Sequence, residues 1–125
     1  MPGRILIADD SATIRRLIRG ILQFRKYEIV EAATGDEALQ AIEREAGALD
    51  LAILDLMMPG KTGLEVLTEL RAEEAGRSAD RPLPVIILTA EEDEAEHALA
   101  VGANRFLLKP FEPVTLLQVV QELVG

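Results

Sequence analysis

Leu51-Ala52-Ile53-Leu54-Asp55 is the stretch on which the fold turns. Four apolar residues follow one another without a polar break, then stop at a carboxylate. A strand with one face in water would alternate. A continuous run this short fits a strand covered on both faces, as in a parallel sheet. Just downstream, Thr62 and Glu65 have the spacing of a capping box, and Val66, Leu67 and Leu70 follow at helical spacing. A buried strand followed by an amphipathic helix is the unit this stretch predicts.

The unit recurs on both sides. Toward the N-terminus, Ile5-Leu6-Ile7-Ala8 ends in Asp9-Asp10. Ser11 then caps a helix whose apolar stripe is Ile14, Leu17, Ile18, Ile21 and Leu22. A weaker run, Tyr27 to Ala32, is broken by Glu28 and Glu31 and suits an edge strand. Thr34 and Glu37 repeat the capping pattern before Ala38, Leu39 and Ile42. Toward the C-terminus, Val85-Ile86-Ile87-Leu88 ends in Thr89. Residues 92–101 form an Ala- and Glu-rich helix stopped by Gly102. Phe106-Leu107-Leu108 ends in Lys109, and Pro113 suits the first position of a last helix carrying Leu116, Leu117, Val120, Leu123 and Val124. Gly76 to Pro84, with two prolines, reads as a loop. Five β-α units predict an α/β fold: a doubly wound, five-stranded parallel sheet with helices on both faces and right-handed crossovers. With no linker, repeat or low-complexity block, residues 1–125 read as one domain.

Composition narrows the function. The chain has 125 residues, no Cys, no Trp and one His, with a formal charge of −9. A chain without Cys has no disulfide framework, no thiolate metal site and no cysteine nucleophile. It suits a reducing compartment, and the expected location is cytoplasmic. No apolar stretch approaches the ~20 residues needed to span a bilayer, and no secretory apolar region follows Met1. The acidic balance argues against direct nucleic-acid binding, which rests on basic surface. Charge is nonetheless uneven. Arg4, Arg15, Arg16, Arg19, Arg25 and Lys26 face only Asp9 and Asp10 within the first 26 residues.

Each strong strand ends in a polar group: Asp9-Asp10, Asp55, Thr89 and Lys109. In an open parallel sheet the carboxyl ends of the strands share one edge, where ligands bind. Three carboxylates gathered there must protonate or find a cation. Lys109 supplies one charge. Oxygen donors without His or Cys suit a hard divalent ion, and a few carboxylates plus water favour Mg²⁺. A metal, a lysine, a threonine hydroxyl and a carboxylate are the equipment of phosphoryl transfer, with an Asp able to act as nucleophile. With strand order 2-1-3-4-5, Asp55 lies between the Asp9/Asp10 pair and Thr89. Asp55 is then the acceptor, and Asp9 and Asp10 hold the metal.

These pieces resemble the response-regulator receiver domain of two-component signalling. The matching segments are Asp9-Asp10, Asp55 through Gly63, Leu88-Thr89-Ala90, Lys109-Pro110-Phe111, and Ala32 through Gly35 followed by Glu37-Ala38-Leu39. They run in order over roughly Arg4 to Leu123. The resemblance implies a flavodoxin-like (βα)5 fold. It implies that Asp55 takes a phosphoryl group from a phosphohistidine on a sensor kinase or phosphotransfer protein. It implies Mg²⁺ held by Asp9, Asp10, Asp55 and the Met57 backbone carbonyl, with Thr89 and Lys109 on the phosphoryl oxygens. It also implies a cis Lys109-Pro110 bond. Phe106 occupies the place of a switch aromatic that is commonly Tyr, so the ring is kept and the hydroxyl is lost. Arg15, Arg16 and Arg19, opposite the apolar stripe of the first helix, are expected to dock the kinase or phosphotransfer bundle. Output is expected from the fourth helix, fifth strand and fifth helix to a downstream protein, from a monomer or a phosphorylation-dependent dimer.

Three other readings stay open. One is a pseudo-receiver that acts without phosphate. Another is a receiver cut from a larger DNA-binding regulator or hybrid kinase. The third is an aspartyl-nucleophile phosphatase, which would need a D-x-D pattern where this chain has Asp9-Asp10. The expectation is a phosphoacceptor, not an enzyme. His97 and the acidic run Glu91 to Glu96 are read as solvated surface, with Glu91 also placed to touch the site entrance.

Overall fold

The structure, a computed structural model, describes residues 3–45, 47–77 and 81–124. In chain order the elements are β1 (Arg4–Ala8), α1 (Ala12–Gln23), β2 (Glu28–Ala32), α2 (Gly35–Arg44), β3 (Leu51–Asp55), α3 (Gly63–Arg77), β4 (Val85–Thr89), α4 (Glu92–Val101), β5 (Arg105–Leu108) and α5 (Pro113–Val124). All pairings are parallel, in the order β2-β1-β3-β4-β5. The doubly wound sheet predicted from the apolar runs is present, with the predicted strand order.

The runs lack alternation because both faces are covered. Leu6, Ala8, Ala52, Leu54, Val85 and Ile87 pack into one cluster with residues of α2, α3 and α4. Ile5, Ile7, Leu51, Ile53, Ile86 and Leu88 pack into the other with α1 and α5. Every residue of β3 and β4 is buried. The outer strands β2 and β5 carry exposed positions, as edge strands do. No helix among the described residues is long and apolar enough to cross a membrane.

The caps form as the sequence predicts. The Ser11 hydroxyl accepts from the Ile14 N–H at 3.3 Å. Thr62 and Glu65 make both bonds of a capping box, at 3.1 and 3.0 Å. In the second box the Glu37 N–H donates to Thr34, but the Glu37 carboxylate reaches one residue further back, to the Ala33 N–H.

Two expectations need correction. Gly76 and Arg77 belong to α3 and not to the following loop; residues 78–80 lie outside the described residues. A glycine costs a helix only about 1 kcal/mol, and the last turns are anchored by Glu74. Its buried carboxylate accepts from Arg71 at 2.6 Å and from the Leu83 N–H at 2.7 Å. The stripe of α1 is narrower than its spacing implies. Ile18 and Leu22 are buried, but Leu17 is 49% exposed.

Candidate active site

The sheet order brings four strand ends to one edge. Asp9 follows β1 directly, Asp55 is the last residue of β3, Thr89 ends β4, and Lys109 follows β5. One carboxylate oxygen from each of Asp9, Asp10 and Asp55 lies within 4.8 Å of the others. Asp9 and Asp55 are buried, and Asp10 is exposed. Lys109 spans the cluster. Its ammonium donates to Asp55 Oδ1 at 3.0 Å and to Asp9 Oδ2 at 3.2 Å. The Lys109-Pro110 bond is cis.

Electrostatics follows from this packing. Burial raises the Asp55 carboxyl above its ordinary value. The Lys109 hydrogen bond opposes that shift, and the charge on Asp9 adds to it. For Lys109, burial would lower the ammonium, but the hydrogen bond and charge of Asp55, with Asp9, outweigh it and the value is raised. One lysine therefore faces three acids, which leaves the edge short of positive charge.

The two oxygens of Asp55 differ. Oδ1 is taken by Lys109. Oδ2 accepts no hydrogen bond among the described residues. No fully buried side-chain polar atom is without a partner there, so Oδ2 reaches solvent. One oxygen is held and the other is open to an electrophile. The donor set fits a hard divalent ion: three converging carboxylates, with no nitrogen or sulfur donor among them.

Thr89 is buried, and its Oγ1 accepts from the Glu91 N–H at 3.1 Å. Its hydroxyl closes the turn into α4. Phe106 is half-buried against the cluster on the α2–α4 side and pairs in register with Ile87. Strand side chains alternate between faces, so Phe106, Ile87 and Thr89 share the α4 side of the sheet. Met57 is exposed, its side chain turned from the core. His97 and Glu91 are exposed, and Glu91 contributes no side-chain cap to α4.

The three arginines of α1 part company. Arg15 Nε donates to Glu31 Oε1 at 3.1 Å, and Arg19 to Glu31 Oε2 at 2.5 Å. Arg15 also donates to the backbone carbonyl of Asp9 at 2.6 Å. Arg16 is exposed and has no ion pair among the described residues. Sequence reasoning placed all three on one outward face and missed Glu31, whose polar interruption of β2 was visible but whose partners were not.

Two glycines fix the loop after Asp55. A Cβ on Gly63 would sit 2.4 Å from the Asp55 carbonyl oxygen, and one on Gly35 would sit 2.1 Å from the Lys61 carbonyl oxygen. Both obstacles are backbone and cannot swing aside. The start of α3 is thus seated on the end of β3, and the start of α2 on the loop between them. Both glycines were in plain view in the sequence, but only packing assigns them this role.

Comparison with known proteins agrees with this geometry. The family model described as the response regulator receiver domain matches residues 5–121. The transcriptional regulatory protein ResD of Bacillus subtilis is 43% identical over 112 residues, covering 88% of this chain and 43% of ResD. The phosphate regulon transcriptional regulatory protein PhoB of Escherichia coli is 34% identical, covering 94% and 49% respectively. The chain thus spans about half the length of these relatives. Among solved structures, the chemotaxis response regulator CheY4 of Vibrio cholerae superposes with a TM-score of 0.83 at 34% identity, covering 98% of this chain and 99% of CheY4. A CheY from Borrelia burgdorferi, solved in a complex with CheX, BeF3 and Mg²⁺, gives 0.87 at 27% identity, covering 98% and 89%.

Proposed function

The chain belongs to the response-regulator receiver family, and on that premise we propose that it is a phosphorylation-driven signalling switch whose acceptor is Asp55. The observation that carries this reading is the asymmetry at Asp55: Oδ1 is held by Lys109 while Oδ2 is open at the edge shared with Asp9 and Asp10. Asp55 Oδ2 attacks the phosphorus of a phosphohistidine. The new O–P bond forms as the P–N bond breaks, and the electron pair leaves with the imidazole nitrogen. Lys109 meets negative charge that builds on the phosphoryl oxygens.

Asp9, Asp10 and Asp55, with the Met57 carbonyl, would hold Mg²⁺, which supplies charge neutralisation at the phosphoryl group. The Borrelia CheY was crystallised with BeF3 and Mg²⁺, which supports the assignment here. Thr89 exchanges its bond to the Glu91 N–H for one to the phosphoryl group, and Phe106 moves on the same side of the sheet. The surface of α4, β5 and α5 then changes for a downstream protein. The donor is a histidine kinase or a histidine phosphotransfer protein in the cytoplasm, met across α1, where Arg16 is exposed and has no ion pair among the described residues. The domain assists its own phosphorylation and dephosphorylation and does not turn over a separate substrate. The transcriptional regulation in the names of ResD and PhoB is said of those proteins.

The test is incubation with acetyl phosphate and Mg²⁺ followed by prompt mass spectrometry. One added phosphoryl group, absent when EDTA replaces Mg²⁺, supports the reading. No adduct from acetyl phosphate or from a phosphorylated kinase refutes it and favours the pseudo-receiver.

A further inference from the structure

We propose that Arg15 is a positioning residue for the acidic pair, acting through the backbone of Asp9 and not through a docked partner. This deepens the reading of the site given above and rests on it. The Asp9 N–H donates to the Ala32 carbonyl at 3.1 Å. Its Oδ1 accepts from the Ser11 N–H at 2.9 Å, and its Oδ2 from Lys109 at 3.2 Å. The one remaining polar group is its carbonyl oxygen, and Arg15 takes it at 2.6 Å. That carbonyl lies on the peptide bond joining Asp9 to Asp10. The Arg15 bond therefore sets the plane of the peptide from which the Asp10 side chain projects.

Arg15 is itself held. Its Nε donates to Glu31 at the end of β2, its side chain is 17% exposed, and Arg19 grips the other Glu31 oxygen. A guanidinium can make the Glu31 and Asp9 bonds at once because its donors form a rigid fork; a lysine ammonium on a flexible stem holds neither direction. α1 and β2 thus fix the turn that carries two of the three carboxylates. Asp10 is exposed and receives no hydrogen bond among the described residues, so the peptide plane is its main constraint.

Charge alone makes the opposite demand. Arg15 is a cation beside a site for a dication, and deleting it would remove a repulsion and tighten Mg²⁺ binding. Positioning predicts weaker binding. The sign separates the two effects.

The experiment is a Mg²⁺ titration of the full chain, followed by amide NMR at Asp10 and Asp55, for wild type, Arg15→Ala and Arg15→Lys. Both variants should bind Mg²⁺ about tenfold more weakly, the low end of the loss typical for groups that orient metal ligands. Before any metal is added, the Asp10 amide nitrogen should shift in both, as its preceding carbonyl loses a donor. Arg15→Ala binding as tightly as wild type or tighter, or Arg15→Lys unchanged, would overturn the proposal. If Arg15→Ala does not fold, Arg15→Lys and Glu31→Gln carry the test: both should shift the Asp10 nitrogen and weaken binding, and wild-type affinity in both would overturn it. Wild type that shows no Mg²⁺ shift at Asp10 or Asp55 is a different failure, that of the site reading itself.

Discussion

The Lys109 ammonium lies 3.0 Å from Asp55 Oδ1, joining residues 54 positions apart from strand ends separated by β4. The bond leaves one face of Asp55 free while tethering the other. It also makes Lys109 the resident cation of an edge that otherwise holds three acids.

Asp55→Asn should abolish phosphoryl uptake from acetyl phosphate and from a kinase donor alike. An amide has no comparable nucleophilic oxygen. The variant should also be more stable than wild type in EDTA, because it removes a buried charge that burial disfavours. Intact-mass measurement and urea denaturation check the two halves. Label retained at the wild-type rate would move the acceptor elsewhere.

The stability difference should depend on pH. The folded Asp55 carboxyl is raised above its ordinary 3.8, so the native state binds the proton more tightly. The resulting stabilisation is fully present below the ordinary value and is lost as pH rises through the folded value. Asp55→Asn lacks this loss. The advantage of the variant over wild type should therefore grow as pH climbs from the ordinary value past the raised one, then level off. Paired denaturation curves in EDTA across that window test the sign. By the same linkage, Mg²⁺ affinity should weaken on acidification before an ordinary carboxylate would protonate.

Lys109→Ala should destabilise the metal-free protein by about 1–2 kcal/mol. The value for breaking a buried pair is larger, but the lysine side chain is 27% exposed and water screens part of the effect. Mg²⁺ should narrow the gap by replacing the missing charge. Urea melts with and without the ion would detect it, and a gap that Mg²⁺ leaves untouched would argue against a shared electrostatic role.

Gly63→Ala should cost about 2–4 kcal/mol, because its methyl would sit 2.4 Å from the Asp55 carbonyl and the backbone must move. Thermal denaturation reads the cost. The shift should reach Asp55 itself, lowering the rate of phosphoryl uptake in material that remains folded.

Phe106→Ala should separate acceptance from switching. The ring packs against the apolar cluster and carries no polar group to the site, so uptake should stay within about twofold of wild type, while loss of a half-buried ring costs about 2 kcal/mol. In wild type with beryllofluoride and Mg²⁺, amide shifts should spread from Asp55 to α4. In the variant they should stay near the site. Spreading that persists without the ring would remove Phe106 from the switch.

The primary structure determined much of this protein by itself. Four apolar runs without alternation specify strands buried on both sides, because only a covered sheet tolerates them. The capping residues and Gly102 mark helix ends, because those signals satisfy or end a local hydrogen-bond ladder. The polar residue closing each run names the site. What tertiary structure alone decided is which of those groups touch. Lys109 choosing Asp55 and Asp9, Glu31 drawing in Arg15 and Arg19, and Gly35 seating on Lys61 all join distant segments. Such contacts depend on strand register and crossover geometry, which hydrophobic periodicity does not encode. The arginines are the clearest instance: spacing put them on one helical face, but packing tied Arg15 and Arg19 to Glu31, gave Arg15 the backbone of Asp9 as well, and left Arg16 exposed.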